Sequence, residues 1–160
     1  YPSVKSEVLR LTQDQVNYSF RAVVSYVDTH GTREVLYTSP SETIDNLDDP
    51  VQGEVTIIGE PKEGITLRAI SNSLSDEDGI ASINIGWEKS KDGRNWVALN
   101  SLSGPILKLD QVLVGSQVRA RVAVVDNFGI ETNLFSQATR TIENVNNKPS
   151  GRIIIRRVGQ

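Results

Sequence analysis

From Val118 to Val124 the chain alternates apolar and polar positions: Val118, Ala120, Val122 and Val124 point one way, with Arg119 and Arg121 between them. A period of two is that of a half-buried strand. The same alternation stands 98 positions earlier, where Phe20, Ala22, Val24 and Tyr26 are arranged around Arg21. Leu9, Leu11, Gln13 and Val16 extend the match upstream to Leu107, Leu109, Gln111 and Val114. About ten of the 23 positions from 9 to 31 are identical at this one offset, which marks an internal repeat. Each copy closes on Asp-x-x-Gly, at Asp28 to Gly31 and at Asp126 to Gly129, a turn in which Gly supplies a positive φ. Asn17 stands where the second copy has Gly115. Both residues tolerate the left-handed backbone, so one turn geometry is expected at both places.

The rest of the pattern is short strands and turns. A strand at 8–11, the alternating one at 20–26 and a third at 33–37 precede a polar linker, Asp45-Asn-Leu-Asp-Asp-Pro50, which Pro stops. Seven more apolar runs follow, at 54–58, 66–70, 82–90, 95–99, 106–109, 117–126 and 132–142. Seven short strands at turn-punctuated spacing, with no convincing helical period, predict an all-β, immunoglobulin-like antiparallel β-sandwich. Downstream of the Gly turns the copies slip by one residue, Ser39 answering Ser136, and then recover. Thr43-Ile44 answers Thr141-Ile142, and Gly53-Glu-Val-Thr-Ile57 answers Gly151-Arg-Ile-Ile-Ile155. The expectation is therefore tandem repeats of about 98–100 residues: 1–49 the C-terminal half of one repeat, 50–148 a complete repeat, and 149–160 the first strand of a following one. A chain in that phase, with no Met, reads as a segment of a longer tandem array, or as one whose missing strands another chain supplies. Residues 152–158 are then expected to lie against another repeat or to add to a sheet edge of a neighbouring molecule.

Within the complete repeat, Ile83, Ile85 and Trp87 share one strand face and are candidate core residues. A three-residue loop at 91–93 pairs Trp87 with Val97 and Ile85 with Leu99, which leaves Trp96 on the outer face near Gly86 and Glu88.

Gly64-Ile-Thr-Leu-Arg-Ala69, Leu74-Ser-Asp-Glu-Asp-Gly79, Trp87-Glu-Lys-Ser-Lys-Asp-Gly-Arg-Asn-Trp96 and Val114-Gly-Ser-Gln-Val-Arg-Ala-Arg-Val122 resemble the tandem immunoglobulin-like or cadherin-like repeats of large bacterial surface adhesins, of the repeat-in-toxin and biofilm-associated type. The resemblance covers 50–148 and, in half measure, 1–49. Asn144-Val-Asn-Asn-Lys-Pro149 resembles the linker of that family, which usually carries Asp where Asn146 or Asn147 stands. The resemblance implies an extracellular, bacterial cell-surface location and a spacer role, often with calcium stiffening the linkers. The partners it implies are neighbouring repeats of the same or an identical chain, with any cell-surface or glycan ligand held by other regions.

In such a sandwich the loop between the second and third strands and the loop between the last two lie at one pole, where the chain also enters the domain. That would gather Asp76 and Asp78, Asp126, and the linker residues Asp45, Asp48 and Asp49 as candidate Ca2+ ligands, since calcium takes six to eight oxygens. The 143–149 junction offers Asn in place of Asp and is expected to hold calcium less tightly. A solvated Asp-x-Asp-Gly turn and a merely polar linker are the alternative.

Composition narrows the function classes. A net charge of −3 argues against a strong polyanion binder, despite the local cluster Arg152, Arg156 and Arg157. No apolar run is long enough for a membrane span. The absence of Cys removes disulfides and thiolate metal sites. His30 is the single His, so triads and zinc sites lack their partners, and a non-catalytic chain is expected. Three functions remain: an extender segment of an adhesin, a subunit of a self-assembling surface layer or filament, and a glycan-binding module that uses Trp96 as a stacking platform. Tyr18, Tyr26 and Tyr37 read as packing residues.

Overall fold

The computed structural model describes residues 8–156. It is all-β among those residues apart from two 3-10 turns, with every named strand pairing antiparallel. The first part forms a hairpin of β1 (Val23–Val27) and β2 (Arg33–Tyr37). The second holds seven strands: β3 (Thr56–Ile58), β4 (Thr66–Ile70), β5 (Ile80–Ser90), β6 (Val97–Ser103), β7 (Ile106–Lys108), β8 (Gln117–Asp126) and β9 (Glu131–Phe135). They make one sheet in the order β3-β4-β7 and another in the order β6-β5-β8-β9.

One apolar core takes residues from both sheets, as a sandwich requires. Leu67, Ala69 and Leu107 come from the three-stranded sheet, and Trp87, Val118, Ala120, Val122 and Val124 from the other. The alternation of β8 is the cause, since all four of its even-numbered core positions are essentially inaccessible. Trp87 is buried as expected, and its indole N–H donates to the Gly104 carbonyl at 3.0 Å, so the one polar atom of the ring is satisfied.

Residues 12–46 repeat the backbone arrangement of 110–144 bond for bond. The β1–β2 register from Val23↔Tyr37 to Val27↔Arg33 is that of β8–β9 from Arg121↔Phe135 to Val125↔Glu131, shifted by 98. Asn17 and Gly115 both have positive φ, 65° and 75°. Their N–H groups donate to the Ile44 and Ile142 carbonyls respectively. The expected slip does not occur: Thr38, not Ser39, stands in the place of Ser136. Thr38 Oγ1 accepts from Ala22 N as Ser136 Oγ accepts from Ala120 N.

Other expectations are corrected. Residues 8–11 form no strand. Their counterparts at 106–109 pair with β4, and nothing among the described residues of the first part plays β4; Leu9 and Leu11 are exposed where Leu107 and Leu109 are buried. The β5–β6 hairpin pairs Lys89 with Val97 and Glu88 with Ala98, so the loop spans 91–96 and not 91–93. Asp92 causes this. Its Oδ1 accepts from the N–H groups of Arg94 and Asn95 and from Ser90 Oγ, and its Oδ2 accepts from Asn95 Nδ2. These bonds hold its carboxyl well below the usual range and wind the loop around it. The shift is two residues, so the faces keep their sense. A bulge then sets Gly86 opposite Ser103. Ile83 is 40% exposed and not in the core, because β6 does not flank that part of β5. The last strand stops at Phe135 rather than running to 142. Beyond it the hydroxyls of Ser136 and Thr139 accept from Ala120 N and Val118 N in place of ladder carbonyls. Finally, Ile153, Ile154 and Ile155 belong to no strand and are exposed, so they do not lie against another repeat within this chain. β3 already occupies the corresponding slot in this chain's sandwich, and Arg157 and Val158 lie outside the described residues.

Candidate metal centre

The turn before β5 and the turn after β8 meet because Ile80 pairs with Asp126. Asp76 shapes the first turn: its Oδ1 accepts from Asp78 N at 2.9 Å and its carbonyl from Gly79 N at 3.1 Å. Gly79 has φ +79°, and a Cβ there would lie 2.2 Å from Asn127 Nδ2, so the turn is closed against the β8–β9 loop. Asp126 shapes the second turn, its Oδ1 accepting from Phe128 N and Ile130 N, both at 2.8 Å. Asp28 does the same for His30 N and Thr32 N in the first copy, which places His30 at an exposed turn tip.

The linker completes the arrangement. Asp49 N donates to Asp78 Oδ2 at 3.1 Å. Asp48, Asp78 and Asp126 each bring a carboxylate oxygen to within 4.8 Å of the other two. Asp78 and Asp126 are 4% exposed, and one oxygen of each, Asp78 Oδ1 and Asp126 Oδ2, is buried without a hydrogen-bond partner. Buried carboxylate oxygens left unpaired are costly and call for a partner. The Asp48 carboxyl is exposed, yet the protein beside it strips part of its hydration. That effect leads in holding it above the ordinary aspartate range, followed by the negative charges of Asp126, Asp78, Asp76 and Asp49. The donors are all oxygen and all anionic, with no His or Cys, which suits a hard divalent cation.

Of the six acids expected at this pole, Asp48, Asp78 and Asp126 form the cluster, Asp76 buttresses it, and Asp49 supplies an N–H. Asp45 lies exposed outside it. Upstream, Gln13 Nε2 donates to Asn46 Oδ1 at 2.9 Å. The linker is thus tied to the first part at Asn46 and to the second at Asp49, with Leu47 and Asp48 between. At the later junction the Gln111 side-chain amide lies against Asn144 and the Glu63 carboxylate, and Val145 N donates to Glu63 Oε2. Glu63 was not anticipated; its loop pairs with Glu143 across the domain, a contact that leaves no mark in local sequence pattern.

Trp96 does lie on the outer face, but it is half-buried. Arg119 stacks over it at 4.3 Å and over Phe135 at 4.2 Å while pairing with Glu88 at 2.7 Å. A sugar ring would compete with that guanidinium for the indole face. An open groove of about 700 Å³ runs between β3 and residues 134–140. No helix among the described residues is long and apolar enough to cross a membrane. No family model matches the chain, and neither a curated protein nor a solved structure does.

Proposed function

We propose that this chain is a non-catalytic structural segment of a bacterial cell-surface adhesin, an extender built of immunoglobulin-like sandwich repeats whose linker is stiffened by calcium. The observation that carries the reading is the pair of unpartnered, buried carboxylate oxygens of Asp78 and Asp126 beside Asp48 of the linker. A cation there ties the linker to two loops of the sandwich at once and removes the mutual repulsion of three carboxylates. The ties at Asn46 and Asp49 support it, because they leave only two residues, Leu47 and Asp48, between the two sides of the joint. The bond-for-bond correspondence of residues 12–46 with 110–144 supports the tandem organisation. The bacterial surface and the adhesin rest on the resemblance of the repeat motifs.

A second reading, a subunit of a self-assembling surface layer or filament, is favoured by the exposed Ile153, Ile154 and Ile155 and by the uncovered hairpin. Concentration-dependent association in solution would select it.

The joint is tested by titrating the chain with calcium while following thermal unfolding and small-angle scattering. A hundredfold excess over Kd is expected to add about 2.7 kcal/mol and to narrow the distribution of shapes. Asp48→Ala, at an exposed position, is expected to weaken that response and leave calcium-free unfolding little changed. A melting point and scattering curve indifferent to calcium would refute a cation at this hinge.

A further inference from the structure

The β1–β2 hairpin presents what β8–β9 conceals. Val24, Tyr26 and Leu36 are 54%, 49% and 56% exposed, whereas their counterparts Val122 and Val124 are buried and Leu134 is packed against the core. The outer edge of β1 pairs with no strand among the described residues, while the corresponding edge of β8 pairs with β5 along its whole length. One charge is also left over. Arg119 stacks on Phe135 and pairs with Glu88 of β5. Its counterpart Arg21 stacks on Tyr37 at 4.5 Å but has no carboxylate partner among the described residues.

We infer that this edge and face are a docking surface for a half-repeat of the kind formed here by residues 50–106, supplied within the same polypeptide and led by a strand of the β5 type. This rests on the tandem reading above. The molecule shows the required chemistry. In the β5–β8 ladder Ile85, Trp87 and Glu88 stand opposite Val122, Ala120 and Arg119. At an offset of 98 an incoming strand sets an aliphatic residue opposite Val24, an indole opposite Ala22 and a carboxylate opposite Arg21. The stack on Tyr37 holds the guanidinium ready for that carboxylate. Apolar alternation gives the dock its affinity, and the single ion pair fixes its register, because a slip by one residue would put the carboxylate on the apolar face.

The test is an extended chain in which a second copy of residues 50–106 directly precedes Leu9, kept in chelator so that the joint plays no part. Amide exchange at 23–27 is expected to slow by about 100-fold or more relative to the original chain. Arg21→Glu should undo part of that protection, and adding Glu88→Arg in the new copy alone should restore it. Unchanged exchange at 23–27 while 121–125 stays protected would overturn the inference, as would a charge reversal that the second swap does not repair. Protection gained without any calcium response would retire the joint and keep the docking surface, and the converse would retire the surface alone.

Discussion

β1–β2 and β8–β9 share a register, a turn and a set of side-chain-to-backbone bonds, yet Val24, Tyr26 and Leu36 are exposed in the first where Val122 and Val124 are buried and Leu134 is packed on the core in the second. Their local sequence is enough to specify the hairpin, down to Asp28 and Asp126 each closing its turn on two amides. Burial comes from elsewhere, from β5 and the facing sheet. Stability is expected to follow the cover rather than the hairpin, because hydrophobic burial dominates and a two-stranded ribbon is marginal by itself.

The strongest way to break the contrast is to strip the cover from β8. Trp87→Ala removes the largest core side chain opposite Ala120 and is expected to cost about 3–5 kcal/mol in denaturant unfolding. Trp96→Ala, on the other side of the same sheet, loses a stack on Arg119 and should cost only about 0.5–1 kcal/mol. Equal costs would mean that the core is not where the structure puts it.

A smaller effect comes from the paired hydroxyls. Ser136→Ala leaves the buried Ala120 N–H without its acceptor and is expected to cost about 1–3 kcal/mol. Thr38→Ala exposes Ala22 N to water and should be nearly silent. Matching losses at the two sites would show that the first hairpin is covered in solution.

The smallest effect is the pH dependence of the joint. Asp48 titrates above the ordinary aspartate range in the folded chain, so the folded state holds its proton where the unfolded state has lost it. Cation-free stability therefore falls as pH climbs from the ordinary aspartate value through the raised one. Asp92 has the opposite sign in a lower window: its depressed pKa adds stability above the ordinary value, and that is lost as pH falls below it. Asp48→Asn should flatten only the upper window. Calcium should reverse its slope, since the ion binds the deprotonated form. Melting curves from pH 3 to 7, with chelator and with calcium, read both.

Much of this was readable in residue order. β8 follows from alternation, β2 and β4 from short apolar runs between turns, Asn17 and Gly115 from their tolerance of positive φ, and the acids at the turns from the sandwich pole. What escaped depends on bonds that alternation does not encode. Asp92 draws in two amides and a hydroxyl, which lengthens the β5–β6 loop by three residues over the expected one. Ser136 and Thr139 end the ladder of β9 by substituting side chains for carbonyls. Asp45 was gathered with its neighbours because it shares the linker, but the tie at Asn46 separates it from the cluster.

Native-state hydrogen exchange on the chain itself tests the central contrast most directly. Amides 121–125 are expected to exchange only through global unfolding, and amides 23–27, with the same register and no cover, orders of magnitude faster by local opening. Comparable protection in the two hairpins would contradict the account.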